Sequence, residues 1–276
     1  MARRNFGQIL KEAKVDIRRE YDRLFANFYL HKTYLVNYQE ASLRDYCASQ
    51  FGSMPFRGTC VDLDDFDDFY GFTFEKDPKD FDLDYLISFC EYAYNLSIYS
   101  APSNVLNMNY ASYIDQQPQF FIEQIMRVVD TIGYMITMES PEADYSIIIP
   151  KSAAAIAVAE ISDQKTAYKA LEYNHYALKG NLDRKLSILK VFADEIEPKH
   201  AALKRIPGSV ENELFQLLQK FVRHNNKDNP VIAAMSDDEI EAVYDNIYQM
   251  WLLAMLELDN VERKTQAKEL LGRVNS

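Results

Sequence analysis

Near the C-terminus the chain carries Phe221-Val222-Arg223-His224-Asn225-Asn226, where an Arg, a His and two amides stand in a row. A guanidinium can grip a phosphate with a fork of N–H donors, an imidazole can move a proton near neutral pH, and an amide can orient either. Arg223, His224 and Asn226 are therefore the candidate catalytic residues. On a helical wheel begun at Leu214, the side chains of Leu217, Leu218, Phe221 and Val222 fall within roughly 80° of it. Arg223 then faces outward, His224 sits at the border, and Asn225 turns back toward the apolar side. The purely structural alternative makes Asn225 and Asn226 a helix cap, with Arg223 and His224 placed against the negative C-terminal end of the helix.

The remaining histidines offer less. His175 shares helical spacing with Tyr168, Leu171 and Leu178 and reads as a core histidine; His200 follows Pro198-Lys199 in a basic, exposed turn; His31 lies just past the first helical stripe with no partner in view. With four His and no HExxH or paired spacing, no zinc site is expected. No phosphate loop, dinucleotide glycine fingerprint or GxSxG elbow occurs, so neither a metal nor a cofactor is expected. The acidic stretch Asp62–Asp84 invites a calcium reading, but counting from Asp62 puts Phe66 and Asp67 where the loop needs an oxygen ligand and a glycine.

These groups must be positioned by helices. Eight Gly and nine Pro in 276 residues are too few for a turn-rich sheet protein, and 19 Tyr with 16 Phe promise a thick aromatic core or an aromatic binding surface. Phe6, Ile9, Leu10, Ala13, Ile17, Tyr21, Leu24 and Phe28 form one stripe on a helix of about 25 to 30 residues. Another helix covers part of Ala41–Ser49. Residues 60–84 interleave Asp with Phe and Tyr and read as a loop with no regular helix before Asp80, with room for a hairpin through Tyr70–Phe74. Helical spacing resumes over Leu83–Tyr99 and Phe120–Met138, with Asn104–Tyr113 as a loop between them and Ser140-Pro141-Glu142 as the stop. Tyr145–Pro150 reads as an isolated extended segment and the best place for a domain boundary.

Beyond it four helices are expected. They are Ile156–Lys179, Leu182–Ile196, Val210 to about His224, and one opened by the capping box Ser236/Glu239 and striped through Ile240, Val243, Tyr244, Ile247, Met250, Trp251, Ala254 and Leu258. The domains are thus 1–144, carrying the acidic aromatic loop, and 150–276. The fold class is all-α, with at most one short extended segment or hairpin.

Charge divides the same way. Residues 1–150 hold 13 Lys+Arg against 23 Asp+Glu, whereas Lys165–Lys227 holds 12 against 7 within a chain of net charge −12. Local sign decides where phosphates bind, so the 165–227 segment is the candidate RNA face and the acidic 62–84 segment the candidate surface for a protein partner. No apolar run reaches the ~20 residues of a membrane span, the start lacks an apolar signal core, and Cys47, Cys60 and Cys90 match no CxxC spacing. A cytoplasmic protein with reduced thiols and no membrane contact is expected.

The stretch Leu171–Lys185, then Asp194–Lys199, then Arg223–Asn226 resembles the C-terminal part of uncharacterised bacterial proteins related to abortive-infection HEPN domains. The likeness spans about 110 residues. It implies a C-terminal HEPN-like four-helix bundle, a homodimer, a role in phage defence and, in active members, metal-independent RNA cleavage. The family motif is an Arg, a polar residue, and a His four to six residues later near a helix end. Arg223 and the residue after it match, but Asp228, Asn229 and Pro230 stand where that His belongs. A nuclease would have to use His224, His175 or His200 as its acid or base. Two functions therefore stand as expectations. One is a non-catalytic helical interaction module that dimerises through its C-terminal bundle. The other is a HEPN-type endoribonuclease or RNA-binding protein using Arg223 and His224.

Overall fold

The computed structural model describes residues 15–100, 118–140, 142–223 and 229–274. The protein is mostly helical, with two small two-stranded sheets among the described residues. It divides into two compact units, Met1–Thr137 with Asp144–Ile148, and Met138–Ala143 with Ile149–Ser276.

In the first unit α1 (Ile17–Phe25) opens on Asp16, whose carboxylate accepts from the Arg19 amide, and widens into a π-turn over Ala26–Leu30. Of the long stripe expected here, Phe6, Ile9, Leu10 and Ala13 lie outside the described residues, while Tyr21, Leu24 and Phe28 are buried. A hairpin follows that the sequence reading did not anticipate. Strands β1 (Tyr34–Val36) and β2 (Gln39–Ala41) pair antiparallel, Tyr34 opposite Ala41. Asn37 and Tyr38 both have positive φ, the two-residue turn whose twist matches a hairpin. Helix α2 (Leu43–Gln50) begins at a capping box made by Ser42 and Asp45.

The acidic segment corrects the loop expectation. It contains a regular helix, α3 (Leu63–Tyr70). Asp62 accepts from the Asp65 amide at 2.8 Å, and Asp65 accepts from the Val61 amide at 2.9 Å. Aspartates that count against a helix interior are thus spent on its first turn, where the exposed amides and the dipole favour them. Gly71, at φ 74°, ends the helix in the left-handed region, so the hairpin through Tyr70–Phe74 does not form.

Helix α4 (Leu83–Ser100) is the spine of this unit, and α5 (Pro118–Thr131) packs along it. Phe28, Phe74, Phe89 and Tyr92 meet edge-on or tilted around α4, each ring pair within about 6 Å. The expected loop Asn104–Tyr113 lies outside the described residues. Helix α5 stops at Thr131 instead of running to Met138. Gly133 takes φ 84°, and Tyr134-Met135-Ile136-Thr137-Met138, rich in β-branched and aromatic side chains, extends as β3 (Tyr134–Met138). The segment expected to stand alone is β4 (Ser146–Pro150), and it pairs with β3.

The second unit departs from the expected single helix over Ile156–Lys179. The chain breaks at Ser162, and Asp163 caps a new start, giving α6 (Ala153–Ile161) and α7 (Gln164–Glu172), then a 3₁₀ turn over Tyr176–Leu178. Asp163 outcompetes helix continuation because its carboxylate takes both the Thr166 amide (3.1 Å) and hydroxyl (2.7 Å). Helix α8 (Leu182–Ile196) matches expectation. The short α9 (His200–Leu203) follows, then α10 (Glu211–Leu217), which continues as a π-turn over Leu218–Arg223. After α11 (Pro230–Ala233) comes α12 (Asp237–Val274), opened by the expected Ser236/Glu239 capping box. It packs on α6, α8, α9 and α10 through Tyr244, Ile247, Tyr248, Trp251, Leu252 and Met255. Trp251 lies parallel on Phe192 at 4.0 Å between ring centroids. This is a helical assembly around a long C-terminal helix; none of it specifies a HEPN bundle.

Candidate functional site

Arg223 ends the π-turn of α10. Leu214, Leu218 and Val222 follow one another at four-residue steps and are buried, which pins the segment to the core and leaves Arg223 exposed, as the wheel requires. Its guanidinium is engaged by α8 and the turn after it: Nη1 lies 3.0 Å from Asp194 and Nη2 3.5 Å from Glu197. With Lys190, Ala193 and Val222 these residues line a cleft of about 190 Å³. A phosphate entering it would gain Arg223 and Lys190 but would also meet the Asp194 carboxylate. His224, Asn225 and Asn226 lie outside the described residues, so Arg223 is the one candidate catalytic residue that can be placed.

Two other histidines differ from expectation. His175 is half-buried at the N-terminus of the 3₁₀ turn, where Nδ1 accepts from the Ala177 amide at 3.3 Å; it is a cap and not a core side chain. His200 is not a bare surface residue. Its ring stacks on Phe215 at 3.9 Å and its Nε2 meets the Glu211 carboxylate. His31 contacts the Asn27 side chain at 2.9 Å.

Two of the basic residues of 165–227 are paired in space, mostly with carboxylates from outside that segment. Lys185, its side chain only 7% exposed, lies 2.8 Å from Glu241 and 2.6 Å from Asp245, with its ammonium over the Tyr173 ring. Lys185 in turn holds the Glu241 carboxyl below its ordinary pKa. Arg184 joins Glu172 at 2.7 Å and also pairs with Glu139. Charges paired this way are poorly placed to collect a phosphate backbone.

The acidic segment is likewise committed to the fold. Asp64 and Asp67 each stand 2.6 Å from Arg44, the Tyr92 hydroxyl donates to Asp67 at 2.8 Å, Asp77 binds Arg18 at 2.8 Å, and Asp82 caps α4. Burial pushes the Asp67 carboxyl upward against the opposing pull of Arg44 and Tyr92. Asp68 and Asp80 remain exposed.

A further concavity among the described residues is one that the sequence reading did not locate. In the first unit, rings from Phe56, Phe66, Tyr70, Phe72, Tyr92 and Tyr145 surround a cavity of about 350 Å³, with Glu91 and Asn95 of α4 in its wall. Phe66 and Phe72 stack at 5.6 Å, and Phe72 meets Tyr92 at 5.1 Å. Asn95 binds the Ser146 backbone twice at 2.8 Å, and Glu91 accepts from the Ile148 amide at 2.6 Å, so α4 holds β4 against this wall. The signal was the aromatic count and the Phe/Tyr-rich run 66–74, but rings from four separate segments converge only in three dimensions. No protein-family model, no curated protein and no solved structure matches this chain.

Proposed function

We propose that the protein is a non-catalytic helical interaction module that pairs with a second copy of itself through its C-terminal unit. The observation that carries this is α12. It runs 38 residues, yet its last buried residue is Met255, and every residue from Asn260 to Val274 is exposed. Val261, Leu271 and Val274 lie on one half of that bare stretch, at 45%, 59% and 73% exposure. Helices draw most of their stability from packing, so a long exposed extension that carries such apolar side chains is well suited to a partner. Its charges favour a second copy: Glu257, Asp259 and Glu262 come first, and Arg263, Lys264, Lys268 and Arg273 follow with Glu269 the one acidic residue among them. Two such helices laid antiparallel set the acidic stretch of each against the basic stretch of the other, and bring Val261 of each opposite Leu271 of the other.

The test is mass by light scattering over a hundredfold concentration range, comparing wild type with the double variant Leu271→Glu, Val274→Glu. A concentration-dependent dimer abolished by the double variant is expected; a wild-type monomer throughout overturns the proposal. The ribonuclease alternative, with Arg223 on the phosphate and His224 moving a proton, requires Asp194 and Glu197 to give way. It is tested by metal-free incubation with structured RNA, where cleavage lost in both Arg223→Ala and His224→Ala would replace the present reading.

A further inference from the structure

We infer that the aromatic cavity of the N-terminal unit binds an alkylated ammonium group. What the described wall leaves for a ligand decides the chemistry. The Asn95 amide is committed to Glu91 and Ser146 backbone atoms, and the Tyr92 hydroxyl is turned away to Asp67. What remains is mostly ring face: Phe56, Phe66, Phe72 and Tyr92, with Tyr70 and Tyr145 at the more exposed edge. Among the described lining residues the one charged side chain is Glu91, and there is no Lys, Arg or His. Sugars and nucleobases need many directed donors and acceptors, and against its six rings this wall sets only Glu91, Asn95, Ser146 and the Tyr70 and Tyr145 hydroxyls. An anion would meet Glu91. An ordinary ammonium loses its water on entry and finds few acceptors to replace it. An alkylated ammonium carries its positive charge on methyl surface, asks for no hydrogen bonds, and is attracted both by ring faces and by a nearby carboxylate. The cavity volume suits a small head of this kind.

Among the described residues the cations lying over rings are Arg18, on Tyr21 and Phe81, and Lys185, on Tyr173. None of these rings belongs to the cavity wall. The group could arrive as a free choline-like molecule or as the trimethylated lysine of a peptide; the headgroup is the same.

The experiment uses the full chain and isothermal titration with four probes: tetramethylammonium, choline, a trimethyllysine peptide, and the uncharged choline isostere 3,3-dimethylbutan-1-ol. Saturable binding of at least one cationic probe is expected, with the isostere at least tenfold weaker. Choline without the peptide identifies a free ligand, the peptide without choline a protein tail, and either supports the site. Glu91→Gln keeps an oxygen for the Ile148 amide and is expected to weaken the cation at least tenfold while leaving the isostere unchanged. Phe72→Leu is expected to weaken every probe. No binding by any cation at tens of millimolar overturns the inference, as does an isostere that binds as well as choline. A monomeric protein that still binds choline would overturn the proposed pairing and leave this site standing.

Discussion

Replacing Trp251 with Phe should be nearly neutral, although the side chain is fully buried at the centre of the C-terminal core. Large-to-small changes at such positions ordinarily cost several kcal/mol. Here two terms oppose each other. Phe retains a ring to stack on Phe192 but gives up two carbons and a nitrogen of the indole, a loss of roughly 1.5 kcal/mol at about 0.8 kcal/mol per buried methylene-sized group. The space left behind adds about 1 kcal/mol at about 24 cal/mol per Å³. Against this, the indole Nε1–H is buried and finds no hydrogen-bond partner among the described residues. Removing an unsatisfied buried donor returns about 1–3 kcal/mol. The net should lie between a gain of about 0.5 and a loss of about 1.5 kcal/mol, whereas Trp251→Ala, which also abolishes the stack, should cost about 3–5 kcal/mol. Hydrogen exchange of the α8 amides reads the opening free energy of this unit in all three proteins without depending on the tryptophan signal. A Phe variant that loses more than about 2.5 kcal/mol would refute the reasoning, because it would mean that the indole N–H is well bonded in the native protein.

Asp163→Ala should destabilise the C-terminal unit by about 1 kcal/mol through the lost cap, as measured in urea. Bonds from the Thr166 hydroxyl and amide hold the Asp163 carboxyl below its ordinary pKa, so its contribution is complete above the unfolded value and disappears as pH falls through the lower folded one. The variant should accordingly lose less stability than wild type on acidification. Asp67→Asn should cost about 3 kcal/mol, because Arg44 and Asp67 are 19% and 14% exposed and the largely buried guanidinium then keeps only the solvent-exposed Asp64 carboxylate. Asp64→Asn should cost under about 1 kcal/mol, since that carboxylate is 83% exposed; equal losses for the two variants in a urea titration would contradict this. Burial pushes the Cys47 thiol up to about 12 and Cys90 higher still, so at pH 8 a disulfide reagent should modify either only as the N-terminal unit opens, and labelling of native protein within seconds would contradict it.

The helices that could be read from sequence are those in which one strong periodic stripe meets a good cap. Leu182–Ile196 and the start of α12 at Ser236 are examples, because the apolar period and the capping residue agree there. Two of the errors share one physical origin, the double meaning of Asp and Ser. Asp62 and Asp65 looked like loop formers and instead start α3; Ser162-Asp163 looked tolerable within a helix and instead divides α6 from α7. The β1–β2 hairpin was hidden because Tyr38 occupies a left-handed position that Gly ordinarily fills. The wheel at Arg223 held in its outward direction although the backbone there is a π-turn, because the inward residues are four apart and suit the wider turn. The place of the aromatic cavity was not legible, although the abundance of rings was. Its wall unites Phe56, Phe66, Glu91 and Ser146, whose meeting depends on tertiary packing and not on any local period.

The bare end of α12 also acts as a ruler. From Asn260 to Val274 it measures about 22 Å at about 1.5 Å per residue. Two copies gripping each other along that length would keep their helical cores a rod's length apart instead of pressing them together. Each core would leave most of its surface uncovered, and shortening the rod by whole turns would draw the cores together without altering either one. Such an assembly is a spacer carrying two identical heads, able to engage two targets at once at a separation written into a single helix.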